Sequence, residues 1–344
     1  MEKLRVGLIG CGPRAVEHME AVDVHAGLVM VAGADPAEKG RQRYSARYKT
    51  PVYADADEML RNEKLDIVAI CTREMPRHAL AMAAIRAGVR GIALEKPMAR
   101  TVDEAREMVA AARAKGITMV VSHQMRFADE FVAAREAVRR GDIGQVYYLR
   151  ASSYGQLMEQ GPHMVDMVLW LAGEPEVDWV MAAVADVAEG ARTVHPAPAF
   201  VVGYIAFRNG VRAVVECGRR FQPALGIDPK VTWLQKRVQV LGTAGLVDAV
   251  VAHYAKILDT QGGWRTLYEG AEGWNRATVK FYAELYDVLT RGGVHRNNAD
   301  VSLRGFEIIH AMFQSALWRD RVSPPLPPGA VPLEEIMRGL EKGA

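Results

Sequence analysis

Between residues 4 and 121 the chain alternates short, continuously apolar runs with stretches of helical period, and this alternation restricts its fold more than any other feature. The runs are Leu4–Ile9, Leu28–Ala34, Ile67–Cys71, Gly91–Leu94 and Ile117–Val121. Helical segments between them include Arg77–Ala87 and Val102–Ala114, the second opened by Thr101 as N-cap with Glu104 three residues on. A strand that is apolar at every position is buried on both faces, so this half predicts a parallel sheet with helices on both sides. After Ser122–Phe127 the rhythm changes. Strand-like runs now follow one another with few helices between: Val146–Ser152, Val177–Ala185, Phe200–Phe207, Val211–Cys217 and Val231–Leu241. Asn209-Gly210 between two of them predicts a hairpin. Two helical stretches, Thr278–Thr290 and Ser302–Trp318, close the chain, and the proline-rich segment Ser323–Pro328 reads as an extended stop.

The expected fold is therefore α/β. Residues 1–122 form a doubly wound, Rossmann-type parallel sheet, and residues 123–344 form an α+β domain with a large open, mainly antiparallel sheet. A length of 344 residues agrees with two domains of roughly 150 residues each. The 43 basic residues nearly cancel the 41 acidic ones, which leaves no electrostatic footprint for nucleic acid or an anionic membrane. No apolar run reaches the ~18 residues of a membrane helix, and Leu4–Gly12 reads as a first strand rather than a signal peptide. Cys11, Cys71 and Cys217 lie far apart without metal-ligand spacing, which fits a cytoplasmic protein with no metal site. An open sheet covered on one side must do something with its other face. Trp233, Tyr204 and Phe207 either line an apolar outer surface that builds a homo-oligomer or face the helices.

Gly10-Cys11-Gly12-Pro13-Arg14-Ala15 follows the first strand in the form G-x-G-x-x-A. Gly10 permits the tight turn, Gly12 lets a pyrophosphate approach the backbone, and Ala15 allows close helix–strand packing. Pro13 suits a first helical turn, whose free N–H groups hold phosphate. Asp35 ends the second strand, where a carboxylate binds the ribose hydroxyls of NAD and repels the extra phosphate of NADP. An N-cap ahead of Pro36 is the other reading of Asp35. Lys39, Arg41 and Arg43 either rescue NADP binding or form a solvated helix face.

Two further positions carry chemistry. Glu95-Lys96-Pro97 follows the strand Gly91–Leu94, beyond the carboxyl end where such sheets bind ligands. An ammonium there can hydrogen-bond a substrate oxygen and stabilise alkoxide character as a hydride leaves carbon; the alternative is a surface lysine paired with Glu95. Gly161-Pro162 marks a helix start, which places His163 in the first turn, where the positive helix end favours a neutral imidazole able to act as a base. Asp166, one turn on, can orient His163 or bind a substrate hydroxyl. A satisfied core His–Asp contact is the other reading, and no third ligand supports a metal pair.

Together, G-x-G-x-x-A, Asp35, Glu95-Lys96-Pro97 and Gly161-Pro162-His163-x-x-Asp166 resemble the glucose–fructose oxidoreductase / inositol dehydrogenase / MocA family. The likeness runs along essentially the whole chain, including Val240–Gly245 and the closing helix. It implies an NAD(P)-dependent oxidoreductase for the CH–OH group of a sugar, cyclitol or small polyol, built as a homodimer or homotetramer through the C-terminal sheet. It also implies Lys96 and His163 as the catalytic pair. Cofactor contacts are implied at Gly10, Gly12, Pro13, Arg14, Ala15, Asp35, Thr72, His78, Glu95 and Lys96. Three positions depart from the pattern. Glu159, a third candidate catalytic residue, stands where many members carry an Asp. Thr72 is followed by Arg73, with His78 slightly later, where Thr-Pro and a nearby His are common. His123 is an unusual choice in a segment that lines the cofactor–substrate junction, where Arg126 either binds a substrate group or makes an interdomain salt bridge. Two other functions fit such a chain: transient oxidation with no net redox, as in some relatives that cleave glycosides, and a non-catalytic dinucleotide sensor.

Overall fold

The structure of the protein is a computed structural model that describes residues 3–190, 197–218, 235–260, 262–270 and 274–343. The chain divides into two units, Met1–Gln124 with Trp274–Leu303, and Met125–Gly273 with Arg304–Ala344. The first division lies within two residues of the 122/123 boundary expected from sequence. Residues 274–303 rejoin the first unit, which a single cut of the chain does not represent.

The first unit begins β1 (Leu4–Ile9), α1 (Ala15–Val24), β2 (Leu28–Ala34), α2 (Glu38–Arg47), β3 (Val52–Tyr53) and α3 (Ala56–Asn62). It continues β4 (Ile67–Ile70), α4 (Arg77–Ala87), β5 (Gly91–Leu94), α5 (Val102–Ala114) and β6 (Thr118–Val121). The strands lie in the order β3-β2-β1-β4-β5-β6, and every pair is parallel. The winding reverses between β1 and β4, which opens a crevice beyond their carboxyl ends. Val6, Leu8, Val68, Ala69 and Ile70 are fully buried, as continuous apolar runs require. Thr101 and Glu104 form the expected capping box on α5.

The second unit contains α6 (Asp129–Arg140), β7 (Val146–Ser153), α7 (Gly161–Leu171), β8 (Val177–Ala185), α8 (Val187–Gly190) and β9 (Phe200–Phe207). There follow β10 (Arg212–Gly218), β11 (Lys236–Gly242), β12 (Gly245–Val250), β13 (Tyr254–Asp259) and β14 (Trp264–Glu269). The sheet order is β14-β13-β12-β11-β7-β10-β9-β8, antiparallel throughout except at β10–β7. β9 and β10 form the hairpin expected at Asn209-Gly210, with Gly210 at φ +91°. α9 (Trp274–Arg291) packs on α1 of the first unit, where the Tyr286 ring lies 2.4 Å from the position a Cβ would take at Gly27. α10 (Ala299–Trp318) and α11 (Leu333–Gly343) end the chain. The extended stop read at Ser323–Pro328 is thus followed by one more helix, which buries Leu333, Ile336 and Met337.

Side chains of the eight-stranded sheet alternate between a buried and a half-exposed face. Along β11, Lys236, Val238 and Val240 are buried while Arg237, Gln239 and Leu241 are half-buried. α7 packs on β7, β10 and β11, and α6 packs on β12, β13 and β14. The register sets Gln239 beside Arg150, Arg150 beside Val214, and Val214 beside Tyr204 on the opposite face. Tyr204 therefore belongs to that face, stacked on Trp179 at 5.4 Å. Phe207 does not: the two-residue period groups it with Val201 and Ile205, and it is buried on the covered side. Trp233, and residues 231–234 of the strand expected there, lie outside the described residues. Among the described residues no helix is long and apolar enough to cross a membrane.

Candidate active site

The turn after β1 is shaped for a dinucleotide. Gly10 has φ +85°, and a Cβ there would lie 2.9 Å from Thr72 Cγ2 and 3.0 Å from the Cys71 carbonyl carbon, so only glycine fits. At Gly12 a Cβ would meet nothing within 4 Å. That open space, beside the amino end of α1, is what a pyrophosphate needs to reach the backbone. Asp35 follows β2 and accepts hydrogen bonds from Cys11 N–H (2.7 Å) and Ala37 N–H (2.8 Å), so its carboxylate ties the glycine turn to the start of α2. Gly40 makes room for it, since a Cβ at Gly40 would lie 2.4 Å from the Asp35 carboxyl carbon. Arg41 Nη1 donates to the carbonyls of Asp35 and Pro36, and Arg43 Nη1 donates to the Cys11 carbonyl at 2.7 Å. Both guanidinium groups thus brace backbone rather than forming a merely solvated face. Burial, with the Asp35 charge, pushes the Cys11 thiol up to about 12, so it is no nucleophile.

A buried ionic cluster lies behind the Glu95-Lys96-Pro97 segment at the end of β5. Glu95 Oε1 accepts from Arg14 Nε at 2.8 Å and is 3.0 Å from His18 Nε2, while Oε2 accepts the Lys96 N–H at 3.1 Å. Arg14 also donates to Glu17. His18 Nδ1 is 2.8 Å from the Tyr282 hydroxyl of α9. Burial works to raise the Glu95 pKa, but the Arg14 charge, the His18 hydrogen bond and Lys96 hold its carboxyl well below the usual range. Burial likewise opposes a charged His18, yet Cys71, Tyr282 and Glu95 around it raise its pKa well above the ordinary value. Arg77, fully buried at the start of α4, donates to the carbonyls of Thr72 and Pro97 and so joins the ends of β4 and β5. Thr72 Oγ1 donates to the Arg73 carbonyl at 2.9 Å. His78 lies 2.9 Å from Glu107 of α5 through its Nε2. His123 is buried, and its carbonyl accepts from Asn297 Nδ2 at 2.8 Å. Sequence reasoning passed over His18, Gly40, Arg77 and Tyr282. A histidine three residues past the G-x-G-x-x-A turn is the only one of these with a positional signal.

In the second unit, Gly161 and Pro162 open α7, and His163 sits buried in its first turn, as expected. Asp166 and Arg126 are also buried, and the structure brings them together. Arg126 Nε lies 2.9 and 3.0 Å from the two Asp166 oxygens, and Nη2 donates to Oδ1 at 2.8 Å. Arg126 Nη1 donates to Glu174 at 2.7 Å. Burial opposes the guanidinium charge, but Asp166 and Glu174 outweigh it and raise the Arg126 pKa. Arg126, read from sequence as a substrate ligand or an interdomain salt bridge, pairs with Asp166, read as a support for His163 or a substrate ligand, and their salt bridge lies within one unit. Glu159 is exposed in the turn ahead of α7, its N–H bonded to the Gln156 carbonyl at 3.1 Å. Among the described residues no cluster of His, Cys, Asp and Glu could hold a metal ion.

Comparison with known proteins agrees with this geometry. Residues 4–123 match the model described as "Oxidoreductase family, NAD-binding Rossmann fold", and residues 150–248 match the GFO/IDH/MocA C-terminal domain. The chain belongs to the GFO/IDH/MocA oxidoreductase family. Its first unit is an NAD-binding Rossmann unit, and the protein is an oxidoreductase. The rhizopine catabolism protein MocA of Rhizobium meliloti is 27% identical over 72% of this chain and 79% of its own length. The D-apiose dehydrogenase of Paraburkholderia graminis is 27% identical over 92% of this chain and 88% of its own. A levoglucosan dehydrogenase solved with NADH and levoglucosan shares the fold at a TM-score of 0.84 and 21% identity, over 94% of this chain and all of the other.

Proposed function

We propose that the protein is an NAD-dependent dehydrogenase for a secondary alcohol of a sugar, cyclitol or related small polyol, with Lys96 and His163 as its catalytic residues. The observation that carries this reading is Lys96 itself: it stands immediately beyond β5 of an NAD-binding unit, its backbone held by a buried carboxylate. NAD, when bound, supplies the hydride acceptor. Gly12 and the amino end of α1 would hold its pyrophosphate, and Asp35 the adenosine ribose. The Asp35 carboxylate also disfavours the additional phosphate of NADP, and Arg41 and Arg43 are engaged on backbone carbonyls. Lys96 donates a hydrogen bond to the substrate oxygen and stabilises the negative charge that grows there as C–H breaks. His163 accepts the hydroxyl proton on a ring nitrogen; in the reverse direction it returns that proton to the carbonyl oxygen. The Arg126–Asp166 pair holds α7, and with it His163, in place. Exposed Glu159 takes no step in this scheme.

The names of the relatives point to the same substrate class: D-apiose, levoglucosan and, in a Thermotoga maritima relative, myo-inositol. The open sheet face, with Tyr148, Val214, Tyr204 and Leu241 half-buried upon it, supports assembly into homodimers or homotetramers. Three buried, free cysteines suit a cytoplasmic location. The test is an absorbance screen for reduced nicotinamide with NAD and with NADP across sugars, cyclitols and hydroxy acids. Turnover of at least one polyol, faster with NAD, is expected. Absence of turnover across the panel by protein that binds NAD overturns the reading.

A further inference from the structure

The role proposed above for Lys96 extends to a fully buried histidine on α1. We infer that His18 is a positioning residue for Lys96, acting through Glu95 and supported from behind by Tyr282. The chain of contacts is short and closed off from water. Tyr282 Oη lies 2.8 Å from His18 Nδ1, His18 Nε2 lies 3.0 Å from Glu95 Oε1, and Glu95 Oε2 accepts the Lys96 N–H at 3.1 Å. His18 is fully buried and the Glu95 side chain is 4% exposed. All four residues belong to the first unit.

The direction of the central hydrogen bond does not depend on the charge of His18. An ionised carboxylate only accepts, so Nε2 carries a proton whether the ring is neutral or cationic. In the neutral ring Nδ1 accepts from the Tyr282 hydroxyl; in the cation it donates to the phenol oxygen. Burial raises the Tyr282 pKa to about 12, so this hydroxyl keeps its proton at neutral pH and can serve either form. Arg14 is the other side-chain donor to Glu95 Oε1, but it is one-third exposed and shared with Glu17. His18 is the fixed member. It joins α1 and α9 to the end of β5 and leaves the flexible Glu95 side chain a single orientation, which sets the backbone from which the Lys96 ammonium extends. A displacement of about 1 Å at a reacting group is enough to cost roughly a hundredfold in rate.

The experiment compares His18→Gln with His18→Asn, and runs Lys96→Ala in parallel. Glutamine carries an amide N–H close to the place of Nε2, whereas asparagine is too short to reach Glu95. Each variant is first checked for melting temperature and for NAD affinity by calorimetry. On the polyol turned over by the wild type, His18→Gln is expected to keep kcat within about threefold, and His18→Asn to lose roughly 10- to 100-fold, both with the wild-type Kd for NAD. Tyr282→Phe, which deletes one hydroxyl, is expected to fall between them. Equal kcat for the Gln and Asn variants, or a loss in the Asn variant matched by lost NAD affinity, overturns the inference. Wild-type kcat in Lys96→Ala overturns the catalytic role of Lys96 itself, whatever His18 does. Inactive Lys96→Ala beside fully active His18→Asn removes His18 alone.

Discussion

Alanine at Gly12 and alanine at Gly10 have opposite consequences, although the two glycines stand two residues apart in one turn. At Gly12 the new methyl meets no atom within 4 Å, so the folded protein bears no steric cost. The unfolded chain loses freedom, and stability is expected to hold or rise by about 0.4–1 kcal/mol. In the proposed site the same methyl would fill the space through which the pyrophosphate reaches backbone N–H groups. Losing one charge-assisted hydrogen bond of about 1.5–3 kcal/mol weakens NAD binding by roughly 10- to 100-fold. At Gly10 the positive φ of +85° alone costs a side chain about 1–3 kcal/mol. The Cβ also presses on Thr72 and on the Cys71 backbone, which cannot swing aside, for about 1–3 kcal/mol more. Thermal denaturation without cofactor and calorimetric titration with NAD read the two effects separately. Gly12→Ala should melt like the wild type and bind NAD poorly; Gly10→Ala should melt lower before any cofactor is added. Wild-type NAD affinity in Gly12→Ala would refute the assignment of that open space to the pyrophosphate. So would a loss of stability equal to that of Gly10→Ala.

Two further perturbations test the second unit. Arg126→Met leaves Asp166 buried without its main counter-charge and should cost about 3–5 kcal/mol in denaturant unfolding, whereas adding Asp166→Leu should recover much of that loss; additive losses would show that the pair does not act as a unit. Burial drives His310 of α10 down from its ordinary 6.5 to about 4, so between those values the unfolded chain binds a proton that the folded chain does not. Stability should therefore fall as pH drops through that window, by about 3 kcal/mol in full, and His310→Leu should remove this component; an unchanged pH dependence in the variant would contradict it.

Much of the first unit was legible because burial on both faces leaves an unmistakable trace: Ile67–Ile70 and Gly91–Leu94 have no exposed position to interrupt the apolar run. Hydrophobic period is weak in β14 and α2. β14 exposes most of its residues, and α2 buries only Gly40 and Tyr44. α11 did carry a signal, with Leu333, Ile336 and Met337 at helical spacing, which the preceding prolines obscured. Phe207 could have been placed correctly by counting in twos from Val201 and Ile205. In the site, local geometry was readable and partnership was not. Gly10, Asp35, Lys96 and His163 announce themselves by their neighbours in sequence. Arg126 and Asp166 are 40 residues apart, and no local pattern pairs them. The contacts that define His18 come from 77 and 264 residues away, a separation that no local pattern encodes.

The central claim is that an imidazole on α7 accepts the hydroxyl proton of the polyol. Measuring kcat of His163→Ala together with its Kd for NAD tests it most directly. The account predicts a fall in kcat of roughly 10²–10⁴-fold with NAD affinity unchanged. A kcat equal to that of the wild type would contradict it.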